Sequence, residues 1–465
     1  MRSSWIRLVR SSASMRRAPA GAVAAALLLA SALGAGGRAA AAPVPPPPAP
    51  QSSATPPTFT NYPAPAPLAQ SAGEPSIGID AKSGNAMFQA GLQTLKVAFD
   101  DSASPARATW TDVSYTLTSL LTLDPILATE RTAGRTFVSQ LAGVTSLMAF
   151  SDDDGATWTP SQGAGIPAGP DHETVGIGPF PQGAIVPVTS YPFAVYYCSQ
   201  AIVLASCAVS LDGGLTFGPA VPMYNLTQCG GLHGHIKIAP DGTAYVPNAN
   251  CGNQQGVAVS TDAGITWTVR LVPGSNSPGA SDPSVAAGAD GTLYFGFADG
   301  SGHPAVAVSH DRGQTWTHVY DIGAPFGIQN TAFPAMVAGD GNRAAFAFLG
   351  TAAPGAATGD DPNFPAVWHL YVAHTYDGGA TWVTVDATPN DPVQRGTICT
   401  AGTSCASTRN LLDFIDARAD ARGRVLVGYA DGCVGSCLSA PPNSGTALGT
   451  IARQQSGKGV YAAFD

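Results

Sequence analysis

An eight-residue pattern recurs five times in the chain and constrains its fold more than any other feature. Each copy has Ser or Thr, then Asp two positions later, Gly four later, Thr six later and an aromatic residue seven later. The copies are SDDDGATW at 151–158, SLDGGLTF at 210–217, STDAGITW at 260–267, SHDRGQTW at 309–316 and TYDGGATW at 375–382. Successive copies begin 59, 50, 49 and 66 residues apart. A unit of this length is typical of propeller blades or solenoid repeats.

The residues between copies form short β-rich runs that are separated by turn signals. One unit reads HGHIKIAP, an Asp-Gly turn at 241–242, TAYVPNA, a polar loop, GVAVS, the repeated turn and TWTVRLV. Alternating apolar runs joined by Gly, Asn and Asp turns indicate a four-stranded antiparallel meander. No helical periodicity interrupts these units, so the pattern predicts an all-β protein.

Seven segments have the pattern of an inner strand that opens such a unit. They are EPSIGI at 74, LDPILA at 123, HETVGI at 172, HGHIKI at 233, DPSVAA at 282, FPAMVA at 333 and LLDFID at 411. Sheets arranged radially leave only short, protected edges, which suits a long all-β chain. We therefore predict a seven-bladed β-propeller of four-stranded antiparallel blades, with six blades as the alternative.

The N-terminal region has the composition of an export leader followed by a spacer. Arginines precede an apolar run at 20–33, and small residues at 39–42 offer cleavage choices, so we predict a signal peptide over 1–41. Residues 42–72 are rich in Pro and Ala and predict a disordered, extended spacer. The propeller should then occupy 73–465. No later segment is long and apolar enough to span a membrane, so we expect a secreted, extracellular protein.

Charge and cysteine content limit the partners of the exported chain. Without the six arginines of the leader, 16 basic and 31 acidic residues remain, a net charge of −15. This charge argues against a nucleic-acid partner. We expect a monomer without cofactors. Eight cysteines in an exported chain suggest up to four disulfides, although Cys433 and Cys437 could equally be free thiols. The candidates lie as sequence neighbours: Cys198 and Cys207, Cys229 and Cys251, Cys399 and Cys405, Cys433 and Cys437.

The repeated octapeptide resembles the Asp box, or BNR repeat, of the sialidase-like β-propellers, and the resemblance covers residues 73–465. It implies that each copy is a structural turn between the third and fourth strands of a blade. In such a turn the Asp side chain accepts backbone N–H bonds. The structural aspartates would be Asp153, Asp212, Asp262, Asp311 and Asp377. Members of this superfamily include sialidases, other glycosidases and non-enzymatic binding proteins, so the box itself does not specify an activity.

Blade geometry directs the search for a site to the face opposite the Asp boxes, where inner strands begin. Hydrolysis of a glycoside needs two carboxyl groups that flank the scissile bond. The candidate catalytic residues are Glu74, Asp171, Glu173, Asp282 and Asp413. The candidate ligand-binding residues are His172, His233, His235, Asn330 and Arg409. The three histidines with Glu173 could alternatively bind a metal, or all these groups could simply cap strand ends and bind water.

The resemblance to sialidases implies a triad of arginines, one of them early in the chain, and a Tyr and Glu pair. The segment GEPSIGI at 73–79 has no arginine, and only Arg395 and Arg409 clearly reach the expected site face. Tyr245 and Tyr429 would be the candidates for a Tyr nucleophile. Because the triad is incomplete, we do not expect hydrolysis of sialosides. The resemblance alone favours a sialidase-like propeller that acts as a glycoside hydrolase on extracellular glycans. The alternative is a non-catalytic propeller that binds a glycan or a polypeptide.

Overall fold

The computed structural model describes residues 43–162, 166–167, 169–184, 191–201, 203–276, 279–439 and 445–465. The predicted signal peptide lies outside the described residues. Within them the chain forms β-strands and five short 3-10 helices. These helices are Thr116–Ser119, Ala324–Phe326, Gly402–Ser404, Gly435–Leu438 and Ala462–Phe464. No helix among the described residues has the length and apolar character needed to cross a membrane.

The first three blades follow one another along the chain, and each begins at its inner strand. The first blade contains β2 (Ser76–Ile79), β3 (Ala86–Ala90), β4 (Gln93–Asp100) and β5 (Arg107–Asp112). The second contains β6 (Pro125–Thr129), β7 (Thr136–Leu141), β8 (Thr145–Ser151), β9 (Thr159–Pro160) and β10 (Ile166–Pro167). The third contains β11 (Asp171–Pro179), β12 (Phe193–Gln200), β13 (Leu204–Ser210) and β14 (Val221–Asn225).

The last four blades repeat this order. The fourth contains β15 (Lys237–Ile238), β16 (Ala244–Cys251), β17 (Gln254–Ser260) and β18 (Thr268–Val272). The fifth contains β19 (Ser284–Ala287), β20 (Leu293–Ala298), β21 (Pro304–Ser309) and β22 (Thr317–Asp321). The sixth contains β23 (Asn330–Ala338), β24 (Ala344–Thr351), β25 (Val367–Thr375), β26 (Val383–Asp386) and β27 (Gln394–Arg395). The seventh contains β28 (Asp416–Ala419), β29 (Val425–Asp431), β30 (Leu448–Ser456) and, as its outer strand, β1 (Thr58–Pro63).

The seven inner strands form a closed ring around a central channel. Each of β2, β6, β11, β15, β19, β23 and β28 contacts the inner strands of the two neighbouring blades, and β28 contacts β2. The strands of every blade are antiparallel, and in the seventh blade the N-terminal strand β1 completes the sheet. Apolar side chains such as Trp368, Trp382 and Phe346 are completely buried between blades. The predicted all-β, seven-bladed propeller is confirmed, and the six-bladed alternative is wrong.

The N-terminal segment belongs to the propeller, which corrects the prediction of a disordered spacer over 42–72. Strand β1 pairs antiparallel with β30, with Tyr62 opposite Ile451. Upstream of β1, Pro48 bridges to Asp321 of the fifth blade and Gln51 bridges to Trp382 of the sixth. An outer strand needs only one hydrogen-bonded edge, so a proline-rich segment can fill this position. Without it, β30 would present an unpaired edge.

The Asp boxes are hydrogen-bonded turns between the third and fourth strands. In the fifth blade Asp311 accepts bonds from the backbone N–H of Thr315 at 2.8 Å and from its hydroxyl at 2.6 Å. Ser309 donates to Asp311 at 2.8 Å and accepts from the N–H of Gly313 at 2.8 Å. The same four bonds occur in the other four boxes. In every box the aspartate side chain therefore accepts its hydrogen bonds from donors within its own turn, as the sequence predicted.

In the box at 375–382, the glycine at the fifth position packs against the preceding blade. Gly379 has φ +91°, and an added Cβ would lie 2.5 Å from Cγ2 of Val308. The residue before it in the turn, Gly378, has φ +75° but open space around it. The corresponding position is occupied by Ala263 and Arg312 in other boxes, also at positive φ. In this box only the second of the two left-handed positions is therefore restricted to glycine by packing as well as by backbone conformation.

Candidate functional site

A cavity of about 830 Å³ opens at the face opposite the Asp boxes, around the entrance to the central channel. We call it the site cavity. Its wall comes from loops of several blades and from the residues at which inner strands begin. The lining residues are Glu74, Leu123, Asp124, Pro170, Asp171, His172, Gly230, Gly231, Leu232, Ala249, Asn250, Gly279, Ala280, Ser281, Asp282, Phe333, Thr400, Ala401, Gly402, Thr403, Arg409, Leu412, Asp413 and Phe414.

Six of the ten candidate residues named from the sequence line the site cavity. They are Glu74, Asp171, His172, Asp282, Arg409 and Asp413. They meet because the inner strands of a propeller all begin at the same face, whatever their separation along the chain. Whether these residues catalyse a reaction or bind a ligand stays a prediction.

The other four candidates lie outside the cavity wall. Glu173 is buried and accepts a hydrogen bond from the hydroxyl of Tyr197 at 2.9 Å. Asn330 donates to the carbonyl of Ala353 at 2.8 Å. His233 Nδ1 lies 3.1 Å from the carbonyl oxygen of Gly234, and His235 stacks on Phe414 with ring centroids 4.3 Å apart.

The placement of Glu173 has a local backbone cause. The register of β11 against β12 shifts between Asp171 and Thr174, and His172 has φ +49°. This irregularity breaks the simple alternation of side chains that a regular strand would have. Asp171 and His172 therefore both reach the cavity, whereas Glu173 points between blades.

His172 is fixed at the cavity by two carboxylates. Its Nε2 lies 2.9 Å from Oδ2 of Asp282, and its Nδ1 lies 3.3 Å from Oδ1 of Asp171. Burial alone would lower the pKa of His172, but the charges and hydrogen bonds of Asp282 and Asp171 raise it well above its ordinary value. The ring also contacts Phe414 edge to face, with centroids 5.4 Å apart. A positively charged imidazolium thus forms part of the cavity wall.

Strained backbone is concentrated at this cavity. Three of its lining residues, His172, Phe333 and Leu412, are non-glycine residues with φ of +49°, +58° and +52°. Each lies near the start of an inner strand in a different blade. Such conformations are costly for residues with a side chain and cluster at functional sites. Sequence reasoning missed Phe333 and Leu412 because no residue pattern marks their conformation.

Among the described residues Arg409 alone brings a guanidinium to the cavity wall, and it is already paired. Arg409 binds both carboxylate oxygens of Asp413, with Nη1 to Oδ1 at 2.8 Å. Arg395, the other arginine expected at this face, donates to the carbonyl of Cys437 at 2.8 Å and does not line the cavity. Tyr245 and Tyr429 are buried outside it. Among the described residues, the arginine triad and tyrosine implied by the sialidase resemblance do not assemble here.

Two buried carboxyl groups of the cavity wall favour their protonated forms. Glu74 is 6% exposed, and burial together with the charges of Asp124 and Asp413 raises its pKa well above its ordinary value. Burial raises the pKa of Asp124 to about 7, although it accepts the backbone N–H of Glu173 at 2.8 Å. Asp124 directly precedes β6, the second inner strand, but was not among the ten candidates. The charge of Asp124 raises the pKa of Glu74 because the two groups are close in space, and no sequence pattern reveals this proximity.

Asp171 has the opposite electrostatic environment on the same cavity. Its side chain is 57% exposed, and although partial burial raises its pKa, the hydrogen bond and charge of His172 lower the pKa overall. The cavity therefore combines a carboxyl group that holds its proton, Glu74, with a carboxylate that stays ionised. Pairs of titratable groups with diverging pKa values are typical of acid and base roles.

Disulfides hold two of the loops that line the cavity. All four disulfides join sequence neighbours, and both Cys433 and Cys437 are oxidised. Cys399–Cys405 closes the loop 400–403, and Cys229–Cys251 joins the segments at 230–232 and 249–250. These bonds restrict the conformations of the loops at the cavity rim. Four disulfides also fit a protein of an oxidising compartment.

The metal alternative does not assemble in the part of the chain that the structure describes. No group of three or more His, Cys, Asp or Glu side chains there has the arrangement of a metal site. Of the four residues suggested, Glu173 bonds to Tyr197 and His235 stacks on Phe414 at 4.3 Å.

No family model matches the chain, and a search of curated proteins gives no match. Among solved structures the chain is similar to a protein of unknown function from Dyadobacter fermentans, at 14% identity and a TM-score of 0.42, over 85% of this chain and 98% of that one. It is similar to the GH74 enzyme of Niastella koreensis at 17% identity and a TM-score of 0.44, over 83% and 55%. The intramolecular trans-sialidase of Ruminococcus gnavus has 13% identity and a TM-score of 0.37, over 83% and 95%. With its seven blades and five Asp boxes, the chain resembles the sialidase-like β-propellers in fold.

Proposed function

We propose that the protein is a secreted glycoside hydrolase that acts on extracellular glycans through the site cavity. The observation that carries this proposal is the contrast between Glu74 and Asp171. One is a buried carboxyl group with a raised pKa, and the other is a largely exposed carboxylate with a lowered pKa. Both line the same cavity. Glycoside hydrolysis requires such an acid and such a carboxylate on either side of the scissile bond.

The chemistry follows from these protonation states. Glu74 donates its proton to the departing glycosidic oxygen, which leaves as an alcohol. Asp171 stabilises the positive charge that develops at the anomeric carbon, either by attacking that carbon or by taking a proton from the attacking water. His172 lies against Asp171 and keeps the carboxylate ionised.

The second candidate function is glycan binding without catalysis. It is favoured by the missing arginine triad and by the pairing of Arg409 with Asp413, which occupies the one guanidinium of the cavity wall. The loops closed by disulfides would serve a binding protein equally well, because rigid loops lower the entropy cost of binding.

A panel of fluorogenic aryl glycosides, including a sialoside, tests the proposal. We expect turnover of at least one substrate by the wild type and a loss of at least about 100-fold in kcat for Glu74→Gln, since general acid catalysis contributes roughly that much. Asp171→Asn should lose activity as well. Glu130→Gln is the matched control, because Glu130 lies in a turn on the Asp-box face and bonds to Thr132 at 2.9 Å.

Two results would contradict the hydrolase. One is full activity in both cavity variants. The other is the absence of turnover across the panel together with retention of the wild type on a glycan array, which would support the binding protein instead. Melting curves of all variants show whether a loss of activity reflects unfolding.

A further inference from the structure

A second, smaller cavity lies at the opposite end of the central channel, where the inner strands end. It has a volume of about 190 Å³, and we call it the box-face cavity. Its wall is formed by residues in or beside the inner strands, most of them apolar, such as Val175, Ile236 and Met336. Lys237 of β15 and Arg418 of β28 are its only charged lining residues in the part of the chain that the structure describes. Neither has a role in the proposed hydrolysis.

The two cations share one carboxylate. Asp416 Oδ1 lies 2.6 Å from Nη1 of Arg418 and 3.5 Å from Nζ of Lys237. Oδ2 of the same carboxylate accepts the backbone N–H of Ile77 at 3.3 Å. The cluster therefore carries one positive charge in excess. Lys237 and Arg418 have side chains that are only 18% and 24% exposed, so water screens this charge incompletely.

We propose that the box-face cavity binds an inorganic oxyanion of the phosphate or sulfate class, held between Lys237 and Arg418. An ammonium has three donors and a guanidinium has five, which is more than one carboxylate can accept. A tetrahedral oxyanion offers acceptors to both cations and neutralises the excess charge. The cavity between these inner strands, about 190 Å³ in volume, offers the space that such an ion needs.

The electrostatic environment of Lys237 favours an additional anion beside it. Burial and the charge of Arg418 lower its pKa to about 8, and Asp416 compensates only in part. His235 adds no charge, because burial lowers its pKa to about 3. His235 precedes Lys237 by two residues and stacks on Phe414 of the site cavity. Neither Lys237 nor Arg418 lines the site cavity, so the test of anion binding is separate from the test of the hydrolase activity.

The four lysines of the chain make a direct test feasible. Reductive methylation with ¹³C-formaldehyde labels Lys82, Lys96, Lys237 and Lys458 and keeps their positive charge. NMR then follows each signal as phosphate or sulfate replaces chloride at constant ionic strength. We expect the Lys237 signal alone to shift and its pKa to rise by about one unit, which corresponds to about tenfold tighter anion binding by the protonated amine.

Matched variants complete the test. Arg418→Met should abolish the response of Lys237, whereas Arg422→Met, which removes an exposed arginine on the same face, should leave it unchanged. In unlabelled protein, phosphate should raise the Tm of the wild type but not of Lys237→Met. The proposal is overturned if the Lys237 signal does not respond to either anion, if all four lysines respond alike, or if Arg418→Met responds as the wild type does.

Discussion

Replacing Asp124 with Asn should stabilise the folded protein at neutral and alkaline pH, although the residue lies in the wall of the site cavity. Burial raises the pKa of Asp124 from 3.8 to about 7. The folded state therefore holds a proton that the unfolded state releases, and the free energy of unfolding falls as the pH rises through this interval. Asn cannot titrate, yet its amide oxygen can still accept the N–H of Glu173.

The magnitude follows from the two pKa values. The interval is about three pH units, and each unit corresponds to 1.36 kcal/mol, so ionisation of Asp124 costs about 4 kcal/mol at pH 7 and above. Below pH 3.8 the wild type carries a neutral carboxyl group and the variant should have nearly the same stability. The negative charge of Asp124 also raises the pKa of Glu74, so the variant should lower the pKa of Glu74 as well.

Denaturant unfolding of both proteins between pH 4 and pH 8 measures this difference. The free energy of unfolding of Asp124→Asn should exceed that of the wild type by an amount that grows with pH and levels off above pH 7. If the protein is a hydrolase, the alkaline limb of its pH profile should move to lower pH in the variant. A stability difference that is independent of pH, or a variant that is less stable at pH 8, would refute the reasoning.

Three further predictions concern the scaffold. Gly379→Ala should lower the free energy of unfolding by about 3 kcal/mol, because it adds both backbone strain and a clash with the preceding blade. Gly378→Ala adds backbone strain alone and should lower it by about 1 kcal/mol. Denaturant unfolding of the two variants measures the difference. Deletion of residues 43–72 should abolish the cooperative thermal transition seen by circular dichroism, because the seventh blade loses its outer strand; an unchanged Tm would show that β1 is dispensable. Replacing Cys399 and Cys405 with Ser should cost only about 2 kcal/mol, as expected for a short closed loop, but should weaken glycan binding in a direct titration more than it lowers Tm.

Most of the architecture could be predicted because it depends on local patterns. The five Asp boxes bond within eight residues, so their sequence alone specifies the turn. Seven inner-strand segments recur at blade spacing and predict seven blades. The same periodicity placed Glu74, Asp171, Asp282 and Asp413 at one face, since every inner strand begins there. Cysteines that are close in sequence could pair without knowledge of the fold.

The details of the site could not be predicted, because they depend on contacts between blades. Glu173 directly follows Asp171 and His172, and no sequence pattern predicts the register shift in β11 that directs its side chain away from the cavity. Arg409 reaches the expected face but is bound by Asp413. The raised pKa of Glu74 arises from burial and from carboxylates of other blades.

Local sequence patterns specify the blade, because a turn and an alternating strand are stabilised by residues a few positions apart. They also specify the face on which a site could form. The pairing of residues 58–63, which follow a proline-rich stretch, with β30 in the last blade is visible only in the tertiary structure. The tertiary structure also decided which carboxyl groups keep their protons and which cations have partners, because desolvation and Coulomb interactions depend on distances between residues that are far apart in the chain.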